Sequence, residues 1–309
     1  MSNTESSPSL ASSKDCIQAG APVIEKVTPH TTDVGGILVN RVLPRRQRRT
    51  IGAWCFLDHI GPVTGGGVDL HVGAHPHIGL QTFTWMMQGE ILHRDSLGTE
   101  QLIRPGQVNL MTAGRGIAHT EDTPAGQASL HAAQLWIALP PAHANTTPRF
   151  DHYPDLPHWV EGGADFTLLI GEYGGRGAPT LAFSPLISMD IQLLQAGSFD
   201  LQLREDFEYG ILPLEGSFSI GDEIFAENEL SYLGCGRQHL RITCTAPGRA
   251  LLVGGEPVKE EVLIWWNFVS HSRAEIIQAQ SEWESRSARF APVPGATRRL
   301  DPPPIPWKS

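Results

Sequence analysis

Two triplets, His75-Pro76-His77 and His119-Thr120-Glu121, bracket a stretch whose apolar runs are broken by Gly89, Gly98, Pro105-Gly106 and Gly114. That spacing of turn residues is the rhythm of short strands joined by tight turns, and no other feature limits the fold as much. On a strand, residues i and i+2 project from the same face. Each triplet therefore aims two ligand-type side chains into one interior, and the pair supplies the imidazoles of His75, His77 and His119 and the carboxylate of Glu121. No cysteine falls between the triplets, so the set suits a first-row transition metal held by nitrogen and oxygen. The stretch reads as a small β-barrel with a metal at its mouth.

Composition agrees with a turn-rich β protein, since the 309 residues include 32 Gly and 24 Pro with few long helix-forming stretches. A formal charge of −10 argues against a broad electrostatic grip on nucleic acid or an anionic membrane. Cys16, Cys55, Cys235 and Cys244 are too sparse for a disulfide scaffold and form no CxxC pair, which favours a reducing compartment. The polar, Ser-rich start lacks the apolar core of a secretory signal, and nothing reaches the run of about 18 apolar residues that spans a bilayer. A cytoplasmic monomer is expected.

The pattern HPHxGxxTxTxxxxGxxxHxDSxG, followed by PGxxxxMTAGRGIxHxE, resembles the pirin family of the cupin superfamily. RRTIGAWCFLDHIGP (48–62), HAAQLWIALP (131–140) and GGEPVKEEVLIWWNFVSHSRAEI (254–276) extend the likeness. The resemblance implies an all-β protein of two tandem cupin, jelly-roll-like barrels, with one divalent metal in the first. Iron is the metal it favours; the residues alone leave manganese, nickel, copper and zinc open. For bacterial members it implies dioxygenase activity on flavonols such as quercetin, and for animal members a redox-dependent regulatory role through a protein partner. In the motif HPHRGxE of many members, this chain replaces Arg and Glu by Ile78 and Gln81. Gln81 stands where other cupins carry a ligand carboxylate; the resemblance to pirins implies Glu121 as the working one.

The second half repeats the grammar of the first at lower fidelity: the run from Glu208 to Gly236 mirrors that from Thr82 to Gly114. The expected division is a disordered tail (1–22), a metal-binding barrel (23–145), a linker (146–163), a second barrel (164–271), and a short helix with a Pro-rich tail (272–309). The second barrel has lost its metal chemistry, because Arg204-Glu205-Asp206-Phe207-Glu208 stands in place of His-Pro-His and only His239 lies near the second ligand position. Ile276, Ile277, Ala279 and Trp283 mark the helix, and the prolines from Pro292 onward end it.

Around the ligands, His93 and Asp95 share a strand face. A His–carboxylate pair there can orient or deprotonate a phenolic hydroxyl, or be a hairpin pair with no role. His93 and Glu121 are the candidate proton acceptors; Gln81, Asp95, Gln134 and Trp136 are candidate substrate contacts. Phe83, Trp85 and Met111 read as core or cavity wall. The run Arg45-Arg46-Gln47-Arg48-Arg49 reads as a solvated turn, with a nuclear-localisation signal as the alternative. The leading expectation is a quercetin 2,3-dioxygenase-like enzyme using a small phenolic substrate and O2. The runner-up is a non-enzymatic regulator that binds a protein partner through its metal barrel.

Overall fold

The computed structural model describes residues 8–11, 24–65 and 68–307. Two antiparallel sandwiches of the same design follow one another. In the first, a seven-stranded sheet ordered Arg149–Tyr153, Val108–Thr112, Leu80–Gln88, Ser129–Ala138, Trp54–Thr64, Ile37–Leu43 and His30–Val34 faces a four-stranded sheet. The smaller sheet is ordered His71–His77, Ile117–Asp122, Ile91–Asp95 and Glu100–Ile103. The second sandwich repeats this, with seven strands including Ala164–Ile170, Leu186–Leu193, Gly248–Gly255 and Glu208–Glu215 against four including Gly197–Gln202 and His239–Cys244. The protein is thus all-β with two tandem barrels and a short C-terminal helix, Arg273–Glu284.

The two large sheets pack against each other, which explains why their strands are not cleanly alternating in sequence. Leu80–Gln88 is buried at every position but its last, because one face fills the first barrel and the other meets the second. Phe83, Trp85 and Leu135 join Leu212, Leu251 and Val253 in one core between the barrels. Burying each of these large side chains contributes roughly 1.5–3 kcal/mol. The interior of the second barrel is apolar, filled by Phe166, Ile191, Phe199, Phe218 and Ile242 among others.

Several segments fall elsewhere than expected. Glu25–Val27, assigned to the first barrel, pairs with Leu230–Gly234 of the second. The supposed linker contains two strands: Arg149–Tyr153 extends the first barrel beside Val108–Thr112, and His158–Glu161 extends the second beside Ala164–Ile170. Each satisfies backbone groups that a free sheet edge would leave unpaired, and of the prolines that suggested a loop Pro154 and Pro157 sit between the strands. Ser9–Ala11, within the expected tail, pairs with Val262–Trp265; the rest of that tail lies outside the described residues. The basic run is solvated at Arg46 and Gln47, which are exposed, but not at Arg48. Arg48 is buried, with its guanidinium 3.6 Å from the Tyr232 ring centroid and 2.8 Å from Glu25. Cys55 and Cys244 are buried thiols, and Cys235 is disulfide-bonded.

After the second barrel the chain returns to the first. Val262–Trp265 and Phe268–Ser270 form a hairpin, and Val269 N–H donates to Ile78 O at 3.1 Å. Gly79 permits this approach: its φ is +65°, and a side chain there would meet Val269 O at 2.0 Å. The helix then buries Ile276, Ala279 and Trp283. The tail docks on it, with Leu300 O accepting from Trp283 Nε1 and Pro303 O from Gln280 Nε2.

A histidine pair joins the barrels. His59 and His131 bring their Nε2 atoms to 2.8 Å, while His59 Nδ1 meets Asn228 Oδ1 at 2.6 Å and His131 Nδ1 meets Glu215 Oε1 at 3.3 Å. Burial, reinforced by the charge of Arg249, lowers His59 to about 4. Burial, His59 and Arg249 lower His131 to about 3. Both imidazoles are therefore neutral in the folded protein at pH values where an unfolded histidine, near 6.5, has already taken up its proton. Unfolding binds protons in that window, so the stability contributed by neutrality is present above about pH 6.5 and is lost as the pH falls towards 4. Thermal melts from pH 7 to 4 should show this loss, and a shallower one in His131→Leu; identical slopes would remove the pair from the account.

Candidate metal centre

His75 and His77 lie on the strand His71–His77 and His119 on its neighbour Ile117–Asp122, with His75 directly opposite His119. One nitrogen from each ring falls in a group whose atoms all lie within 4.8 Å of one another, and the three side chains are fully buried. Burial is the main reason that all three stay neutral, far below the usual imidazole range; around His119 the rings of His75, His77 and His93 add to it.

The outward nitrogens decide what the inward ones can do. His75 Nδ1 donates to Gly73 O at 2.8 Å, and His77 Nδ1 to Asn267 O at 2.9 Å. A neutral imidazole with its proton on Nδ1 presents a lone pair at Nε2. His119 Nδ1 stands 3.3 Å from His93 Nδ1, and His93 Nε2 stands 3.1 Å from Asp95 Oδ2. The Asp95 carboxylate can only accept, so His93 carries its proton on Nε2 and receives the His119 proton at Nδ1. Three Nε2 lone pairs then face one point.

This arrangement fits a metal ion. Among the described residues His75 Nε2 is buried without any hydrogen-bond partner, a costly state for a polar atom. His77 Nε2 and His119 Nε2 lie 3.1 Å apart, where two lone pairs repel unless a cation or proton lies between them. Two nitrogens at right angles, each about 2.1 Å from one ion, are about 3 Å apart.

Residues 36–137 match the family model described as Pirin, and residues 188–291 that of the Pirin C-terminal cupin domain. A Pseudomonas aeruginosa protein named "Putative quercetin 2,3-dioxygenase" is 54% identical, covering 100% of this chain and 99% of its own. The chain belongs to the pirin family. A pirin-like protein of Caulobacter vibrioides is 34% identical over 82% of this chain and 90% of its own. The crystal structure of a quercetin 2,3-dioxygenase from Acinetobacter baumannii superposes with a TM-score of 0.90 at 44% identity, covering 93% of this chain and 97% of that one.

Not every residue singled out in this pirin joins the triad. Glu121 is buried but is not one of the group within 4.8 Å. The ladder with His71–His77 slips between His119 and Glu121, so that Glu121 pairs with Val72 and not with a residue two before His75, while on the other side Glu121 pairs regularly with His93. Gln81 is turned away. It shares a face of its strand with Phe83, which packs between the barrels, and its Nε2 donates to Thr112 Oγ1 at 3.0 Å and towards Leu181 O at 3.4 Å. The expectation that it contacts substrate is corrected by the period-two alternation of that strand. Asp95 is also engaged, accepting at Oδ1 from Leu97 N and Thr99 N. Burial raises its pKa, but the hydrogen bonds and charge of His93 and the hydrogen bonds from Thr99 outweigh this and hold it below the usual range.

Gln134 and Trp136 face the barrel interior. Thr84 Oγ1 donates to Gln134 Oε1 at 2.7 Å, leaving Nε2 buried without a partner. The Trp136 ring stacks on Phe56 at 4.0 Å and meets His77 edge-on at 5.1 Å, with its Nε1 also unpartnered. Two contributors escaped the sequence reading. The Asn267 carbonyl lies in a distant turn, and Phe150, stacked on His93 at 4.4 Å, lies in the segment taken for linker. The alternation in RFDHY was the available signal for the second; the first had none.

Replacing His93 by Leu removes the acceptor for His119 Nδ1 while keeping bulk against Phe150. Losing such an outer partner weakens metal binding roughly 10–100-fold. Chelator competition on folded His93→Leu should show that loss, and an unchanged affinity would deny His93 this role.

Proposed function

We propose that this pirin is a metal-dependent dioxygenase acting on flavonols of the quercetin type, with iron held by His75, His77 and His119. The observation that carries the proposal is the convergence of three neutral imidazoles, the outer nitrogens of His75 and His77 held by backbone carbonyls and that of His119 facing His93. The names of the Pseudomonas and Acinetobacter relatives support the reaction class. Iron follows the family likeness, since the donor set itself accommodates several divalent metals.

A metal in this site supplies Lewis-acid and redox chemistry with positions open to a phenolic oxygen and O2. The protein's own contribution is binding and proton handling. Glu121 is a buried carboxylate on the strand that carries His119, suited to take the proton of a flavonol hydroxyl. Gln134 Nε2 and Trp136 Nε1 are donors without protein acceptors, suited to the oxygens of a bound flavonolate. The indole of Trp136, backed by Phe56, gives a flat apolar wall against an aromatic ring. His93 acts through His119 in this scheme and does not touch substrate. The reaction incorporates both atoms of O2, cleaves the central ring and releases carbon monoxide.

Oxygen uptake with quercetin by iron-loaded protein tests the proposal. His119→Ala should abolish turnover. Gln134→Leu should lower it about tenfold, the effect of one hydrogen bond of about 1.4 kcal/mol. Equal rates in wild type and His119→Ala would end the assignment.

A further inference from the structure

A cavity of about 260 Å³ lies on the outer side of the metal-bearing strands. Its floor includes Ala74, Ala118, Phe290 and Val293. Ala74 precedes His75 and Ala118 precedes His119, so the two alanines point out of the barrel where the ligands point in. The rim is formed by the C-terminal tail, which is held to the metal strand by Ala74 N–H donating to Arg298 O at 2.7 Å and Leu300 N–H donating to Ala74 O at 2.9 Å.

Three arginines line this cavity, Arg286, Arg298 and Arg299, and among the described residues no acidic one does. That is unusual in a chain of formal charge −10. Arg299 lies flat on Trp283, 3.3 Å from the ring centroid, and donates to the Trp283 carbonyl. Among the described residues the guanidinium groups of Arg286 and Arg298 form no ion pair or side-chain hydrogen bond. Burial, and then the charge of Arg286, depresses the Arg299 pKa, with Asp301 opposing. Cations gathered this way repel one another until an anion enters. A guanidinium also binds carboxylates in a planar, two-pronged geometry.

We propose that this cavity binds a small aromatic carboxylate, with its ring on the apolar floor and its carboxylate between Arg286 and Arg298. The volume is below the roughly 300–1,000 Å³ of sites for drug-sized ligands, which limits the occupant to about a single ring. The site is separate from the metal centre, with the sheet between them.

Benzoate is the probe, titrated by calorimetry into full-length protein treated with chelator so that no metal competes for it. Saturable binding at millimolar benzoate or below is expected, with at least a tenfold loss in the double variant Arg286→Gln, Arg298→Gln. Both side chains are exposed, so the melting temperature should not move. The neutral isostere benzamide should not bind, inorganic phosphate at equal concentration should not displace benzoate, and His119→Ala should bind benzoate as wild type does. No saturable binding, equal affinity in the double variant or equal affinity for benzamide would each overturn the proposal. Displacement by phosphate would reassign the cavity to inorganic oxyanions, and loss of binding in His119→Ala would place benzoate at the metal centre; either result also overturns it.

Discussion

An imidazole can offer a metal only one of its nitrogens, and which one is decided by the hydrogen bond at the other. That constraint organises this protein. His75 takes its acceptor from Gly73 on its own strand, His119 from His93 on the neighbouring strand, and His77 from Asn267, 190 residues further along. A buried N–H without an acceptor costs roughly 1–3 kcal/mol, so each partner both stabilises the fold and excludes the tautomer that would point a proton at the centre. The return of the chain after the second barrel thus places a carbonyl that the first barrel cannot supply for itself. Gly79, which lets that segment come within backbone contact, belongs to the same device.

The second barrel, with an apolar interior, acts on the site through the sheet it covers. Leu135 and Trp136 are neighbours in one strand: the first lies in the core between the barrels, and the second is stacked on Phe56 and in edge contact with His77. A strand packed on both faces has little freedom to rotate or slide, because a shift of one residue would exchange its two sets of side chains. Rigidity at the wall of the metal centre therefore follows from apolar packing on the opposite side of the sheet.

Much of this was legible in the sequence, and what was not has identifiable causes. The triplets at 75–77 and 119–121 revealed the three histidines because alternation is a local property. It did not show that Glu121 stands outside the group of three, across a slip in the ladder with His71–His77, because pairing across the sheet is not encoded in a single strand. Gln81 was misread on a different ground. The family motif drew attention to the position, whereas the alternation of Leu80, Thr82 and Thr84 already placed it with Phe83 on the outer face. The edge strands at 149–153 and 158–161 were hidden by the prolines between them. The pairing of Glu25–Val27 with the second barrel joins segments some 200 residues apart, a distance over which composition and periodicity carry no information.

The unpartnered atoms indicate that the first barrel is built to hold a bound group and not only for stability. Most polar groups buried here are satisfied, including the bidentate pair of Arg41 with Asp58 at 2.8 Å. The exceptions inside the first barrel include His75 Nε2, Gln134 Nε2 and Trp136 Nε1. They are an acceptor suited to a cation and two donors suited to an oxygen. An apolar residue at each position would remove the desolvation penalty, as it has throughout the second barrel, where phenylalanine, leucine and isoleucine fill the corresponding space. Two barrels of one architecture in one chain therefore act as each other's control. The interior of one is apolar, and the interior of the other holds three histidines on adjacent strands with unsatisfied polar atoms in its lining.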